Sequence, residues 1–562
     1  MKMHQGESNH VGCSRRSFLR HASLLAAGAP FLLSAGRARA SGSEAIAETT
    51  SGKIRGKSAE GINIFLGVPY GASTEGANRF MPPRRPQEWT GVRDALAFGP
   101  LAPQRNPKTT PTTMAASIYA PGKPFSVFMI PDVPDREDCL VLDVYTPGVN
   151  DGRKRPVMVW LHGGGFAQGA ASTAVYGGAN LAKRGDVVVV GVNHRLNAFG
   201  YTYLGDVGGA EFADSGNVGM LDIVQALQWV RDNIEKFGGD PNTVMIFGES
   251  GGGAKVSCLL AMPAAKGLFH RAAIQSGPGI KMMERDVATK VTELLLTELG
   301  LKKEQLRELQ ELPTKRILEA HFGVLAKMPP AERGPRQGFA PVVDGRSLPR
   351  HPFHPDASPV GADVPVVVGY NRTEATFFLA SRDPSAPRMT DESLQTRTKT
   401  LFGDGAPRVL EMYRKAHPGL SPYDLFVLIS TDYPTGLSSI RLAERKAASG
   451  KAPVYLYNFN WETPVAGLHS PHTIEIPFVF NNIALAKPLV GDGAEARALA
   501  EKVCDAWVAF ARTGDPSTPA LPKWTPFTDK DRATMLFDND SKVVNDPIRE
   551  KRLLLNEVAK PV

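Results

Sequence analysis

Short apolar runs recur along the chain and predict strands that are covered on both faces. They span residues 156–161, 186–192, 243–247, 272–275, 364–369 and 454–459. Strands that are apolar on both faces are typical of parallel sheets with helices on either side. The pattern therefore predicts an α/β protein with a central, mostly parallel sheet and helices on both of its faces.

Between these runs the apolar residues change to the spacing of a helix. The clearest predicted helix spans residues 221–237 and ends at Gly238-Gly239. Near the start of the chain, residues 50–55 and 62–68 predict the start of a β-hairpin. Strands and helices thus alternate after a strand-rich beginning.

The composition is that of a soluble globular protein, with 42% hydrophobic and 22% charged residues. Proline-rich stretches at 100–134 and 329–356 predict long surface loops or caps. No repeat or low-complexity linker interrupts the chain after its N-terminal segment. We therefore predict a single domain over residues 41–562.

The N-terminal segment, residues 1–40, has the features of an export signal. Its six basic residues and one acidic residue account for five of the eight net positive charges. Arg15-Arg16 form a twin-arginine pattern, an apolar stretch follows, and an A-x-A cleavage site precedes Ser41. The stretch, about 14 residues and broken by glycine and proline, is shorter than the roughly 20 residues of a spanning helix.

This segment predicts a bacterial precursor that meets the twin-arginine export machinery and matures to a periplasmic or secreted protein. No stable membrane anchor is expected. The small remaining charge shows no block of one sign, so we expect no nucleic-acid partner.

Cysteine and histidine spacing predicts neither a disulfide framework nor a metal site. Cys139, Cys258 and Cys504 remain after the predicted cleavage, an odd set that allows at most one bridge. Two H-x-x-H pairs, at 351–354 and 469–472, lie in proline-containing loops without further ligand motifs. We expect no metal and no cofactor.

The most informative local sequence is a G-x-S-x-G turn around Ser250. It follows the apolar run at 243–247 and precedes a helix start of small residues, so strand, turn and helix form a nucleophile elbow. A side chain at Gly248 or Gly252 would clash in so sharp a turn. The helix N-terminus behind the serine presents N–H groups to a developing oxyanion. The segment predicts acyl transfer through a covalent serine.

A second glycine-rich turn follows the run at 156–161. Its sequence, HGGG from residue 162, lets the backbone approach a substrate closely and aim N–H donors at one point. Such a loop combines with the N–H of the residue after the nucleophile, here Gly251, to form an oxyanion hole.

The acid and the base should follow the serine in the order acid, then histidine. Glu374 lies just after a predicted strand, although a solvated loop carboxylate fits that position equally well. His417 lies at a polar helix end and is interpreted as a surface residue. His469 and His472 both follow the next strand, and spacing does not choose between them.

Residues from about 45 to 545 resemble the type-B carboxylesterases, which include the cholinesterases and the bacterial para-nitrobenzyl esterases. The matching stretches keep the family's order and lie at residues 137–140, 162–166, 193–196, 216–250, 274–277, 341–345 and 510–516. The resemblance implies the α/β-hydrolase fold and a serine carboxylesterase that forms an acyl-enzyme on Ser250.

The resemblance also implies the remaining roles. The family's H-x-x-E-I-P-F-V-F motif begins at His472, which makes this histidine the base. Glu374 falls in the segment that carries the family's acid. Gly164 and Gly165, together with Gly251, correspond to the oxyanion hole.

Some positions depart from the family pattern. Gly251 replaces a frequent alanine, and His194 replaces a commoner tyrosine. Cys139 matches a disulfide cysteine, but Ala102 stands where its usual partner would lie, so a buried thiol is expected. Ser276 is assigned a supporting hydrogen-bonding role by the resemblance.

The substrate is less defined. No tryptophan lies between 100 and 138 to bind a choline cation, and no long apolar lid helix is evident. The loops at 277–283 and 329–341, expected to line the pocket, carry proline, glycine and scattered charge. Short or medium neutral acyl esters are therefore expected. A lipase, amidase or polymer esterase remains an alternative, as does a non-catalytic binding relative, which the intact catalytic residues disfavour.

Overall fold

The computed structural model describes residues 44–107, 117–328 and 338–559, all within one compact unit. The predicted export signal lies outside these residues and stays a prediction, as does the extent of the domain. In the part of the chain that is described, no helix combines the length and apolar character needed to cross a membrane.

Among the described residues, thirteen strands form one sheet and two short strands form another. The strands are β1 (Glu44–Thr49), β2 (Gly52–Ala59), β3 (Ile62–Pro69), β4 (Val92–Asp94), β5 (Val141–Thr146), β6 (Arg155–Leu161), β7 (Val188–Val192), β8 (Gly239–Glu249), β9 (Arg271–Gln275), β10 (Met283–Glu284), β11 (Val342–Val343), β12 (Val366–Asn371), β13 (Val454–Phe459), β14 (Ala533–Phe537) and β15 (Lys542–Asn545).

The large sheet has the order β1-β2-β3-β5-β7-β6-β8-β9-β12-β13-β14-β15, with β4 beside β2. All pairings from β7 to β14 are parallel. The strands before β7 in this order and the final β15 pair antiparallel, apart from the parallel β2–β4 contact. The predicted mostly parallel centre is confirmed.

The α-helices surround this sheet. They are α1 (Ala179–Gly185), α2 (Asn197–Tyr201), α3 (Gly205–Gly208), α4 (Val218–Asn233), α5 (Gly251–Leu259), α6 (Arg285–Leu299), α7 (Glu308–Glu311), α8 (Thr314–Lys327), α9 (Ala375–Arg382), α10 (Asp391–Phe402), α11 (Ala406–Ala416), α12 (Pro422–Thr431), α13 (Leu437–Ala448), α14 (Ile476–Val479), α15 (Lys487–Val490), α16 (Ala494–Thr513) and α17 (Arg549–Val558).

Successive residues of a strand point to opposite faces of the sheet. Both faces are apolar here, so helices cover both of them. In β6, Val157 and Val159 belong to one buried cluster, whereas Met158 and Trp160 belong to another. Helices α4, α5 and α13 contribute side chains to the first cluster. Helices α1 and α16 contribute to the second, so the prediction of helices on both faces is confirmed.

A third cluster lies among helices rather than on the sheet. Helices α10, α11, α12 and α17 form it, with Leu394, Val409, Leu425 and Leu555 among its members. The predicted helix at 221–237 is confirmed as α4 followed by the 3₁₀ turn Ile234–Phe237. Within the stretch 100–134, predicted to form surface loops or caps, the 3₁₀ turn Pro124–Phe128 buries three of its side chains.

The parallel order places several loops at one edge of the sheet. Strands β6, β8, β9, β12 and β13 all run in the same direction, so the segments that follow them emerge together. These segments begin at residues 162, 250, 276, 372 and 460. Active sites of α/β proteins form at this edge.

Candidate active site

Ser250 lies at a sharp turn between β8 and α5. Its backbone has φ 56° and ψ −119°, a combination that side-chain-bearing residues rarely adopt. Its N–H donates to the carbonyl of Gln275 at 2.8 Å. A Cβ at Gly252 would lie 1.9 Å from the Leu161 carbonyl oxygen, so the neighbouring strand requires glycine there. The predicted elbow geometry is therefore present.

Glu374 and His472 form a buried pair. They lie in the segments that follow β12 and β13, respectively. Glu374 is 1% exposed and His472 is 4% exposed, and the His472 Nδ1–H donates to Glu374 Oε2. The other carboxylate oxygen accepts the backbone N–H of Asn371 at 2.7 Å. A proton on Nδ1 leaves Nε2 as the basic nitrogen of a neutral imidazole.

The basic nitrogen lies beside the elbow. His472 Nε2 is 3.1 Å from Oε1 of Glu249, the residue that precedes the serine. This oxygen is buried without a hydrogen-bond partner among the described residues. Ser250 Oγ makes no hydrogen bond to His472 within the same set. Such contacts often tighten only when substrate binds.

A third buried carboxylate, Glu475, stands on the same side of the site. Asn371 Nδ2 donates to Glu475 Oε2 at 2.6 Å, and Gln275 Nε2 donates to Oε1 at 3.3 Å. Trp507 Nε1 in turn donates to Gln275 Oε1 at 3.1 Å. These contacts connect β9, β12 and α16 around the histidine and hold the carboxylate in place.

Burial and neighbouring charges shift the pKa values of His472, Glu249 and Glu475. Burial alone would lower the pKa of His472, but the adjacent Glu249 and Glu374 raise it to about 9. Burial raises the pKa of Glu249 well above its usual value. Burial and the nearby Glu374 raise the pKa of Glu475 to about 7. Perturbed pKa values of this kind cluster at functional sites.

His469, the other histidine of this loop, lies outside the buried group. Its Nε2 is 3.2 Å from Asp424 Oδ1 and its Nδ1 is 3.6 Å from Glu462 Oε2. The structure therefore brings His472, and not His469, to Glu374. Sequence spacing alone left this choice open.

The glycine loop after β6 lies against the start of α5. Gly164 and Gly165 have φ values of 86° and 64°, which favour glycine. A Cβ on Gly251 would meet the Gly165 carbonyl oxygen at 2.2 Å. The three predicted oxyanion-hole residues are thus brought together. The frequent alanine at position 251 would force this loop to move.

Ser276 and Gly277 support the elbow from the neighbouring strand. Ser276 N donates to the Gly369 carbonyl at 2.9 Å, whereas its buried Oγ has no hydrogen-bond partner among the described residues. The hydrogen-bonding role implied for this side chain is therefore not realised here. A Cβ on Gly277 would lie 1.9 Å from the Ser250 carbonyl oxygen, so glycine allows this close contact.

An aromatic wall packs against the histidine. The ring centroids of Phe377 and Phe378 lie 5.5 Å and 4.9 Å from that of His472. Phe125 and Tyr119 extend this wall through edge contacts with Phe377. Apolar rings beside a catalytic base exclude water and favour apolar substrate groups.

Sequence reasoning did not assign roles to Glu249, Glu475 or Asn371. The first two lie one residue before the serine and three after the histidine, a proximity that could have indicated them. Among the described residues, no cluster of His, Cys, Asp and Glu is suited to a metal ion. Cys139, Cys258 and Cys504 are all buried, in line with the buried thiol expected at position 139.

The chain is similar to known carboxylesterases along most of its length. The carboxylesterase family model matches residues 43–555. Over 514 residues the chain is 33% identical to the para-nitrobenzyl esterase of Bacillus subtilis (strain 168), covering 90% of this chain and 97% of that protein. Over 513 residues it is 34% identical to the phenmedipham hydrolase of Pseudarthrobacter oxydans, with the same coverage of 90% and 97%.

The fold is likewise shared with a solved structure. The crystal structure of the Geobacillus stearothermophilus carboxylesterase at pH 6.2 matches with a TM-score of 0.77 and 35% identity. The match covers 91% of this chain and 99% of that chain. The α/β-hydrolase fold implied by the sequence resemblance is confirmed.

Proposed function

Since this chain belongs to the carboxylesterase family and is a serine carboxylesterase, we propose that Ser250, His472 and Glu374 carry its reaction. Ser250 is the nucleophile, His472 the general base and acid, and Glu374 the carboxylate that orients the imidazole. The backbone N–H groups of Gly164, Gly165 and Gly251 stabilise the oxyanion.

The observation that carries this assignment is the buried His472–Glu374 hydrogen bond beside the strained elbow. The carboxylate fixes the tautomer in which Nε2 accepts a proton, and it stabilises the imidazolium that forms. The Nε2 atom already lies within 3.1 Å of the residue next to Ser250.

The reaction follows from these positions. Ser250 Oγ attacks the ester carbonyl carbon while His472 Nε2 accepts the hydroxyl proton. The carbonyl oxygen becomes negative and accepts hydrogen bonds from the glycine N–H groups. Removal of one such donor costs roughly 2.7–4 kcal/mol of transition-state stabilisation. The C–O bond to the alcohol then breaks, and the alcohol leaves with the proton. Water repeats the sequence and releases the acid from Ser250.

Replacement of the nucleophile tests the assignment. Ser250→Ala should remove esterase activity while the protein stays folded, leaving at most the residual rate supplied by binding and the oxyanion hole. Steady-state kinetics and thermal unfolding of both proteins measure this. A variant that keeps a tenth of the wild-type kcat would contradict the role of Ser250.

We also propose that the enzyme prefers short or medium neutral acyl esters. The aromatic wall beside His472 supports an apolar acyl or aryl group, and the small net charge outside residues 1–40 offers no field to attract choline. Of the two loops expected to line the pocket, 277–283 is described, whereas 329–337 lies outside the described residues.

A substrate series tests this preference through kcat/KM, which measures differential transition-state binding. Nitrophenyl esters of increasing acyl length, an anilide, an emulsified long-chain triglyceride and butyrylcholine form the series. Soluble butyrate ester should be preferred. A better rate with the triglyceride would favour a lipase and one with the anilide an amidase. A roughly tenfold preference for butyrylcholine over an isosteric neutral ester would also contradict the proposal.

Export by the twin-arginine route is a further part of the proposal. The Arg15-Arg16 pair, the apolar stretch and the A-x-A site support it, and all lie outside the described residues. Changing both arginines to lysine should leave uncleaved precursor in the cytoplasm. If that variant is exported normally and its mature chain begins near Ser41, the interpretation of residues 1–40 as a twin-arginine signal is wrong.

A further inference from the structure

Lys255 is a buried lysine on the nucleophile helix, one turn beyond Ser250. Its side chain is fully buried on α5. Its Nζ donates to the carbonyl oxygen of His162 at 2.9 Å. No carboxylate forms an ion pair with it among the described residues. The catalytic steps proposed above do not use this lysine.

A buried ammonium group without a counter-charge is costly for folding. A methionine or leucine would fill the same space without this desolvation penalty. Burial lowers the pKa of Lys255 to about 7, which expresses the same cost. The energetic disadvantage points to a role other than stabilising the helix.

The contacts of Lys255 bracket the oxyanion glycines. His162, whose carbonyl it binds, comes immediately before the glycine run, and Phe166 comes immediately after it. The Lys255 ammonium lies 5.9 Å from the centroid of the Phe166 ring, a cation–π distance. One side chain therefore contacts both ends of the run that contains Gly164 and Gly165.

Such support is needed because consecutive glycines have unusually large conformational freedom. Other residues hold the C-terminal end of the loop. Asn197 N donates to the Phe166 carbonyl at 2.7 Å, and Gly169 N donates to Gln104 Oε1 at 2.7 Å. At the N-terminal end of the loop, His162 Nδ1 lies 2.9 Å from the carbonyl oxygen of Gly163. The hydrogen bond from Lys255 to the His162 carbonyl connects this end of the loop to the nucleophile helix.

The histidines around Lys255 are suited to a neutral state. The rings of His162 and His194 stack at 4.9 Å with an interplanar angle of 7°. Burial and the Lys255 charge lower the pKa of both rings. Two stacked imidazole rings therefore lie beside the loop that begins at His162, and both disfavour a positive charge of their own.

We propose that Lys255 is a positioning residue that fixes the oxyanion loop relative to the nucleophile. By binding the His162 carbonyl, it sets the place where the following glycines present their N–H groups. Because Lys255 is on the helix that starts at the elbow, it couples the loop to Ser250. The inference rests on the proposed oxyanion role of Gly164 and Gly165.

If Lys255 positions the loop, its replacement should weaken binding of the transition state but not of the substrate. A loop misplaced by about 1 Å should lower kcat about 10- to 100-fold with little change in KM. The variants are Lys255→Met, which keeps the side-chain length, and Lys255→Gln, which keeps a neutral N–H donor. Affinity for a trifluoromethyl ketone, which forms a tetrahedral adduct with the serine, should fall by the same factor as kcat.

A second buried lysine provides the matched control. Lys446 Nζ donates to the carbonyls of Gly361 and Ala362 at 2.9 Å and 2.6 Å, away from the oxyanion loop. Lys446→Met removes comparable lysine–carbonyl bonds. It should lower the unfolding temperature but leave kcat and inhibitor affinity within about twofold of wild type.

The outcomes separate a positioning role from a structural one. Unchanged kcat and inhibitor affinity in the Lys255 variants would overturn the proposal, as would an equal kcat loss in Lys446→Met. Failure of both Lys255 variants to fold while Lys446→Met folds would make Lys255 a stability residue. Wild-type protein is treated with an organophosphate in parallel. If Ser250 is not labelled, the assignment of the nucleophile has failed, and the result says nothing against Lys255 alone.

Discussion

At the scale of single residues, His472 lies between two buried carboxylates, with Glu374 beside its Nδ1 and Glu249 beside its Nε2. Ser250 and the oxyanion glycines follow from local sequence, because a tight turn demands glycine at fixed positions. His472 could be chosen over His469 only through the family resemblance. Glu249 reaches His472 from the end of β8, so its influence depends on packing that linear spacing does not contain. Glu475 lies three residues after His472, but its burial is not evident from that spacing.

The two loop histidines should differ sharply in function. His472→Ala should lose on the order of 10⁴-fold or more in kcat, because the proton of Ser250 then has no acceptor. His469→Ala should be close to wild type, since its ring contacts Asp424 and Glu462 instead. Steady-state kinetics of both variants measure the difference. The reverse ranking would show that His469 is the base.

Glu249 should control the pH dependence of the reaction. Activity needs neutral His472, so kcat/KM rises with pH through the histidine pKa. Burial raises the pKa of Glu249 itself, but next to a protonated His472 its carboxylate stabilises the imidazolium and raises the pKa of His472. Glu249→Gln removes this charge, so the rise should move to lower pH by about one unit.

The pH profile of kcat/KM from about pH 5 to 10 measures the shift. Glu462→Gln is the matched control, because this carboxylate lies beside His469 in the same region and has no ion pair with His472. Its profile should match wild type. A Glu249→Gln profile that stays in place, or moves to higher pH, would contradict the described electrostatics.

At the scale of secondary structure, continuous apolar runs predict the parallel strands β6, β7, β8, β9, β12 and β13 well. Strand β5 was not predicted: Asp143 interrupts its apolar pattern, and its carboxylate is buried where it accepts the Gly67 N–H at 2.8 Å. The short outer strands depend on pairing with neighbours, which local sequence does not encode.

Gly277 should be indispensable to the elbow. A Cβ there would approach the backbone carbonyl of Ser250 to 1.9 Å, and neither atom belongs to a flexible side chain. Gly277→Ala should therefore displace Ser250, lower kcat strongly and cost about 1–3 kcal/mol of stability. Gly493→Ala is the control, because no atom lies within 4 Å of its added Cβ. Kinetics and thermal unfolding compare the two; an active, stable Gly277→Ala protein would refute the close contact.

At the scale of the whole molecule, the sheet order explains how distant motifs meet. Parallel strands place residues 162, 250, 276, 374 and 472 at one edge, an arrangement that the sequence predicts through the strand rule. The helical region from α9 to α13 was not predicted in detail. Within it, α10, α11 and α12 pack mainly on one another and on α17, so their positions depend on tertiary contacts.

A buried ion pair joins the segment after β7 to α4. Arg195 donates to Asp222 through Nε at 2.8 Å and through the terminal nitrogen at 2.6 Å, and both side chains are almost fully buried. Asp222→Ala leaves an uncompensated buried charge and should cost about 3–5 kcal/mol. Glu557→Ala breaks the exposed pair with Arg408, which water and salt screen, so its cost should be far smaller. Thermal unfolding ranks the two, and equal losses would contradict this account.

The most direct test of the central claim is covalent labelling of the nucleophile. Wild-type protein treated with an organophosphate such as diethyl nitrophenyl phosphate should gain one phosphoryl group, and peptide mass spectrometry should place it on Ser250. Labelling should parallel the loss of esterase activity. It should be absent in Ser250→Ala and strongly slowed in His472→Ala. A stoichiometric label on another residue, with activity lost in parallel, would contradict the assignment of Ser250 as the catalytic serine.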